Sequence, residues 1–387
     1  GWPNHPREQY VHSMGTRIFA LAGVIVLLAA CPTSHSTDPQ EQIEYADVTA
    51  AMVVDGLAHP WGFAFLPDGD VLITERSGTL RLWNGSQLTT VTGTPSVAAG
   101  GQGGLLDVAL DPDFATNGYV YLTYSAAYGG GYGLRAGRGV YDNGAITGFT
   151  VLFESNHVSS GTGHFGSRIS FDQERFLYVT LGDRQDRDLA QETLVHPGSV
   201  VRLNRDGTVP TDNPYADPND GVLDEIFTYG HRNPQGLALQ PATGDLWLNE
   251  HGPQGGDEVN LLTPGANYGW PVITYGEEYG GGEIGGTHEE GMEQPIVYYV
   301  PTSIAPSGMA FYHGDVFPEW EGDAFLGALA ERHLRRLILS GDEVVGQEVL
   351  FEDELGRVRD VRLGADGHLY LITDATDGAL YRVDRAE

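Results

Sequence analysis

From Val48 onward the chain repeats one local pattern, a polar turn rich in Asp, Gly and Pro followed by a short apolar run. Pro67–Asp70 leads into Val71-Leu72-Ile73-Thr74, and Asp111-Pro112-Asp113 into Tyr119–Tyr124. Asp172 leads into Phe176–Thr180, Pro241–Gly244 into Leu246-Trp247-Leu248, Glu321-Gly322-Asp323 into Ala324-Phe325-Leu326, and Ala365-Asp366-Gly367 into Leu369–Ile372. Runs this short, rich in β-branched and aromatic residues and bounded by turn formers, are strands. A second strand follows at once in Gly78–Trp83 and in Gly378–Val383. The recurrence predicts an all-β fold, a six-bladed β-propeller of four-stranded antiparallel sheets. A pair of β-sandwiches is the alternative, but repetition without a linker favours one closed ring. Only Leu189–Leu194 suggests a helix of more than a turn.

The segment before the repeats has a different pattern. Residues 1–13 carry no fold signal. Arg17 then precedes an apolar run, Ile18–Ala30, too short to span a bilayer and of the length of a secretory signal. It ends in Leu28-Ala29-Ala30-Cys31, similar to a bacterial lipobox, which implies cleavage before Cys31, lipid on its thiol and an exported protein tethered to a periplasmic or cell-surface membrane. An ordinary signal with an incidental cysteine is the other reading. Residues 32–46 are polar and predict a flexible tether, with the propeller occupying 47–387. Cys31 is the only cysteine, so no intrachain disulfide forms.

Composition narrows the classes of partner. The 54 glycines and 21 prolines suit many turns, and all 21 basic residues are arginine against 53 acidic ones, a net charge of −32. Nucleic acid is excluded as a partner, because phosphate binding needs clustered cations. A hydrated acidic surface fits a salt-rich habitat; a lineage bias against Lys accounts for the composition equally well.

Several loops carry more polar chemistry than turns require. Tyr229–Pro271 holds the run His231-Arg232-Asn233-Pro234-Gln235 and an acidic loop, His251–Glu258. Asp257 and Glu258 beside loop carbonyls suit a hard cation such as Ca2+, although solvated surface charges look the same in sequence. In Gly100–Gly104 the glycines allow close backbone approach, and Gln102 is the one hydrogen-bonding side chain. His164 lies in the loop Gly161–Arg168 and is a candidate general base, with Asp183 beyond the next strand placed to orient it. A histidine satisfied by backbone groups is the plainer alternative. Arg232 suits a carboxylate or oxyanion, and Arg357 and Arg359, two apart on a strand, suggest an anionic ligand or bridged surface carboxylates.

Taken together, longer motifs spell a family. GGQGGLLDVALDPDF (100–114), HFGSR (164–168), YVTLGDRQDRDLAQ (178–191), YGHRNPQGLALQPATG (229–244), EHGPQGGDEVNLLTPGANYGWPVITYG (250–276), GMEQP (291–295), SIAPSGMAFYHGD (303–315) and GRVRDV (356–361) occur in order. The chain resembles the soluble quinoprotein aldose sugar dehydrogenases from about Gly56 to Val383. The resemblance implies oxidation of an aldose at C1 to a lactone, with pyrroloquinoline quinone (PQQ) as cofactor, Ca2+ bridging cofactor and protein, and an external electron acceptor. It makes His164 the base and Asp183 its supporting acid. It places Arg232 and Asn233 at the quinone oxygens, Gln102 and Ser303 beside the cofactor, and Arg357 and Arg359 on its carboxylates. Gly252 and Pro253 match carbonyl ligands of the bridging Ca2+, and Glu258 and Tyr268 match ligands of a second, structural Ca2+.

Two positions depart from the family pattern. Ala330 stands where many relatives carry a Lys or Arg, with Arg332 the nearest possible substitute. Gly163 stands where the glucose enzyme has an Asp, which implies a more open sugar site. Two other functions are weighed against the dehydrogenase. A Ca2+-dependent lactonase-type propeller would centre on several side-chain metal ligands, and a non-enzymatic sugar-binding propeller would need neither His164 nor Asp183.

Overall fold

The computed structural model describes residues 43–217 and 219–386. The signal-type segment, Cys31 and residues 32–42 of the expected tether lie outside the described residues. At the end of that expected tether, Ala46 is buried in a core cluster and the Glu44 carbonyl accepts from Arg336 Nη1 at 2.9 Å, so residues 44–46 dock on the propeller.

After β1 (Val48–Leu57), the strands come in consecutive groups. The first blade comprises β2 (Pro60–Phe65), β3 (Val71–Glu75), β4 (Leu80–Trp83) and β5 (Leu88–Val91). The second holds β6 (Leu105–Leu110), β7 (Tyr119–Tyr128), β8 (Gly131–Asp142) and β9 (Ala145–Glu154). The third holds β10 (Ile169–Phe171), β11 (Leu177–Thr180), β12 (Ser199–Leu203) and β13 (Ile226–Tyr229), and the fourth β14 (Pro234–Leu239), β15 (Leu246–Glu250), β16 (Asp257–Leu261) and β17 (Val297–Tyr299). The fifth is β18 (Pro306–Phe311), β19 (Ala324–Ala328), β20 (His333–Ser340) and β21 (Glu343–Leu350). The last is β22 (Val358–Leu363), β23 (Leu369–Thr373) and β24 (Gly378–Arg385), completed at its outer edge by β1. Every strand pairing within the sheets is antiparallel, and the six four-stranded sheets form the expected β-propeller.

Each of the six turn-strand units of the sequence is the hairpin between the first and second strands of one blade. The turn aspartates explain why. Asp172 accepts from Phe176 N at 2.9 Å and from the Tyr178 hydroxyl at 3.0 Å, and Asp366 takes the Tyr370 hydroxyl at 2.9 Å. The carboxylate caps the turn while a tyrosine of the next strand closes over it. Second strands such as β3, β11, β15 and β19 are buried throughout, whereas the outer β9 is largely exposed.

The core is distributed over the six interfaces between neighbouring blades. Leu72, Leu105 and Val120 pack the first blade on the second, Tyr121 and Leu177 the second on the third, and Tyr178 and Leu248 the third on the fourth. Trp247 and Phe311, then Phe325 and Leu371, then Ile73 and Leu380, complete the circle. The helix expected at Leu189–Leu194 is instead a single 3-10 turn, Arg187–Gln191. Leu194 is 62% exposed and offers no apolar face to hold a longer helix, and Gly198 closes on Ala190 behind the turn.

Candidate active site

One face of the ring gathers the loops that enter each blade and the hairpins between second and third strands. They surround a cavity of about 330 Å3. Blade-entry segments bring His59, Trp61, Gln102, Phe165, Ser167, Asn233, Arg357 and Arg359 to its wall, and hairpins bring Arg76, His251, Leu329 and Asp374. A volume near 300 Å3 lies at the lower end of small-molecule sites.

His164 stands at the edge of this wall, just before Phe165, Gly166 and Ser167, which line it. Its backbone N–H donates to Gln102 Oε1 at 2.7 Å, tying it to a second blade-entry loop. Its Nδ1 lies 2.7 Å from Asp183 Oδ1, and its side chain is 11% exposed. Asp183 is buried; its Oδ1 also accepts from Gln185 N, and its Oδ2 from Trp270 Nε1 at 2.8 Å. An ionised carboxylate with these partners keeps the proton on Nδ1 and leaves Nε2 with its lone pair. The backbone is held tightly to achieve this: His164 and Ser167 have φ of 50° and 91°, as do Arg184 and Gln185 at 58° and 63° across the contact. Such conformations cost roughly 1–3 kcal/mol each and persist where surrounding contacts fix them. Buried Arg184 supplies some of those contacts, bonding the carbonyls of Gly161 and Gly163 and stacking 3.5 Å from the Phe165 ring centroid.

The cavity wall is cationic in an otherwise acidic protein. Arg76, Arg357 and Arg359 share one carboxylate, Asp374. Burial opposes the charge on Asp374, but Arg359, His59 and Arg76 outweigh it and hold the group well below the usual carboxylate range. His251 is pushed down to about 3 by burial, then by Arg359 and Arg232. It is therefore neutral, its Nε2 donating to Pro306 O at 2.8 Å.

Beside this wall lies a much smaller pocket, about 10 Å3, lined by Arg232, Glu250, Gly252, Glu258, Tyr268 and Trp270 among others. Arg232 lines this pocket and not the larger one; its Nη1 bonds the carbonyls of His251 and Gly252. Ser303 lies outside both, its hydroxyl bonding Asp257 Oδ1 at 3.1 Å and Pro253 O at 3.4 Å, where it braces the 252–257 loop. Glu258 stands opposite Glu250 on paired strands, and burial followed by repulsion from Glu250 raises its pKa strongly. Glu250 is satisfied by His231 Nδ1 and Arg232 N, whereas Glu258 has only Asn260 Nδ2 at 3.4 Å. The Tyr268 ring stacks on His231 and its hydroxyl donates to Leu261 O.

Arg332 does not substitute for the missing base at Ala330. Its backbone has φ of 50° and its side chain turns outward to Asp353, Nη2–Oδ1 2.7 Å. Sequence reasoning missed His59, Arg76, Asp374 and Trp270. The signal for Trp270 was an indole inside an Asn-Tyr-Gly-Trp-Pro loop; the other three belong to the first and last blades and meet only when the ring closes.

Both expected ligand classes find a matching surface. For a planar anion, the buried donors Arg76 Nε, Arg359 Nε and Ser167 Oγ have no partner among the described residues. For a cation, Glu258 is a half-buried acid without a counter-charge among the described residues, in a pocket that Gly252 and Gly256 also line. Among the described residues no three His, Cys, Asp or Glu side chains converge as a metal site, which is the arrangement a lactonase-type centre needs.

The profile of the family described as Glucose / Sorbosone dehydrogenase matches residues 57–382. The aldose sugar dehydrogenase YliI of Escherichia coli is 43% identical, covering 87% of this chain and 93% of that protein. The crystal structure of the soluble aldose sugar dehydrogenase from E. coli in the apo-form superposes with a TM-score of 0.84 at 42% identity, over 88% of this chain and all of that one. The PQQ-bound aldose sugar dehydrogenase of Streptomyces coelicolor gives a TM-score of 0.73 at 29% identity, over 88% and 99%.

Proposed function

Because the chain belongs to the glucose/sorbosone dehydrogenase family, we propose that its propeller is the whole catalytic unit of a PQQ- and Ca2+-dependent aldose dehydrogenase, which oxidises the sugar at C1 to a lactone and passes electrons to an external acceptor. The observation that carries the reading is the His164–Asp183 pair, with Nε2 free, at the edge of an arginine-lined cavity.

His164 Nε2 accepts the proton of the anomeric hydroxyl. Asp183, fixed by Trp270 and Gln185, stabilises the imidazolium that results. When bound, the quinone supplies the hydride acceptor and Ca2+ polarises it. Arg357 and Arg359 would hold the cofactor's carboxylates, with Asn233 and Gln102 at the same wall and Arg232 in the adjoining pocket. The carbonyls of Gly252 and Pro253 would hold the bridging Ca2+, and Glu258 with Tyr268 the structural one. Ser303 acts indirectly by bracing the loop of Gly252 and Pro253. The absence of a Cβ at Gly163 leaves room that Gln185 fills, its amide within 3.1 Å of where that carbon would stand, so sugar contacts here fall to Gln185. Lipid on Cys31 would tether the propeller to the membrane; this rests on the leader sequence alone.

The test is reconstitution of purified protein with PQQ and Ca2+, read by dye reduction across a panel of aldoses. Activity that needs both additions and falls about 100-fold or more in His164→Ala, with PQQ binding kept, supports the reading. Absence of both activity and PQQ binding overturns it in favour of a binding propeller.

A further inference from the structure

The two oxygens of Asp374 each gather a pair of nitrogen donors. Oδ2 lies 2.7 Å from Arg359 Nη2 and 3.9 Å from Arg357 Nη2, the two arginines with an expected role. Oδ1 lies 3.0 Å from His59 Nδ1 and 3.5 Å from Arg76 Nη2, two residues with none. Both line the same cavity, with side chains 40% and 22% exposed. We propose that Arg76 and His59 are a second anion-recognising pair, joined to Arg357 and Arg359 through Asp374, and that the two pairs bind different carboxylates of one planar polycarboxylate ligand.

The argument is first one of charge. One carboxylate cannot neutralise three guanidinium groups, so the wall keeps a surplus of positive charge where water is partly excluded. A chain with 53 acidic residues could have placed another carboxylate here and did not. The second consideration is hydrogen bonding. Arg76 Nη1 is held by Gly101 O at 2.9 Å, its Nε is buried without a partner, and so is Nε of Arg359. Arg76 and Arg359 both line the cavity, and each keeps guanidinium donor capacity that no described residue takes up and that a ligand's acceptors can use.

The third consideration is backbone design. Arg76 N donates to His59 O at 3.2 Å, and the Arg76 carbonyl packs so closely on Gly104 that no Cβ fits between them. The pair is thus fixed against the loop carrying Gln102. With Ala330 uncharged and Arg332 turned to Asp353, the first blade supplies the added positive charge of this wall.

This inference rests on the quinoprotein reading, and the probe is PQQ itself. Apo-protein is titrated with PQQ at fixed Ca2+, and affinity is read from quenching of tryptophan fluorescence, for wild type, Arg76→Ala, Arg76→Lys and His59→Ala. Phenanthrenequinone, a tricyclic ortho-quinone without carboxylates, serves as the control ligand. The expected result is an affinity for PQQ about tenfold or more weaker in Arg76→Ala and about threefold or more weaker in His59→Ala, with Arg76→Lys between, and phenanthrenequinone binding within about twofold of wild type. Unchanged PQQ affinity in both alanine variants overturns the proposal and leaves the quinoprotein reading standing. Equal weakening for both quinones overturns carboxylate recognition. Wild-type protein that binds no PQQ overturns the quinoprotein reading and this inference with it.

Discussion

Trp270 donates its indole N–H to Asp183 at 2.8 Å, across the boundary between the fourth blade and the third. The same carboxylate receives His164 on its other oxygen, so an indole from one blade fixes the histidine of the site through an aspartate of its neighbour. Trp270→Phe removes the donor together with the pyrrole half of the buried indole. Turnover should fall about tenfold, with PQQ affinity changed less than about threefold, as steady-state kinetics and PQQ titration would show. A proportionate loss of PQQ binding would instead mark Trp270 as a wall of the cofactor site.

Glu258 gives a prediction for metal. In metal-free protein its half-buried place opposite Glu250 is a liability, so Glu258→Gln should unfold at no lower temperature than wild type. Added Ca2+ should raise the wild-type midpoint by about 5 °C at a hundredfold excess over its dissociation constant, and raise that of the variant by less than about half as much. Differential scanning calorimetry with and without a chelator measures both.

His333 should govern part of the acid limb of stability. It is buried, donates from Nδ1 to Glu331 O and accepts from Arg335 Nε at Nε2, an arrangement of the neutral ring. Burial, then Arg335, push its pKa down to about 4. The unfolded chain takes up a proton near pH 6.5 that the folded one refuses until about 4, so stability is lost as pH falls through that window, by about 3 kcal/mol. Denaturant unfolding of His333→Gln should show a flatter slope there.

Gly104 permits the close approach of the Gln102 loop to Arg76. Gly104→Ala sets a Cβ against the Arg76 carbonyl and strains a φ of 152°. The variant should lose about 2–4 kcal/mol in denaturant unfolding.

The repeat was legible because each blade opens with the same turn chemistry, and Asp172 with Tyr178 or Asp366 with Tyr370 leave that chemistry in a few consecutive residues. Loop motifs around His164, Asp183 and Gly252 were legible for a similar reason: glycines that close contacts require are dense and ordered there. What escaped was pairing across the ring. Nothing near Asp374 announces that Arg76 and His59, some 300 positions earlier, are its neighbours. Arg332 misled because two residues of spacing say little about a side chain at a hairpin, where a φ of 50° turns it toward Asp353.

The pairing of β1 with β24 has a consequence for how the molecule comes into being. The sheet that holds Arg357, Arg359 and Asp374 in place is finished only when the first strand meets the last. During synthesis β1 must wait, unpaired, until every other blade has emerged. No shortened chain that stops before β24 can then own a finished cofactor wall. Arg76 and His59 on one side, and Arg357 and Arg359 on the other, become a single site at the moment of clasping. Binding competence thereby reports that the whole chain has arrived and closed, and a ligand that bridges the two sides would itself hold the clasp shut.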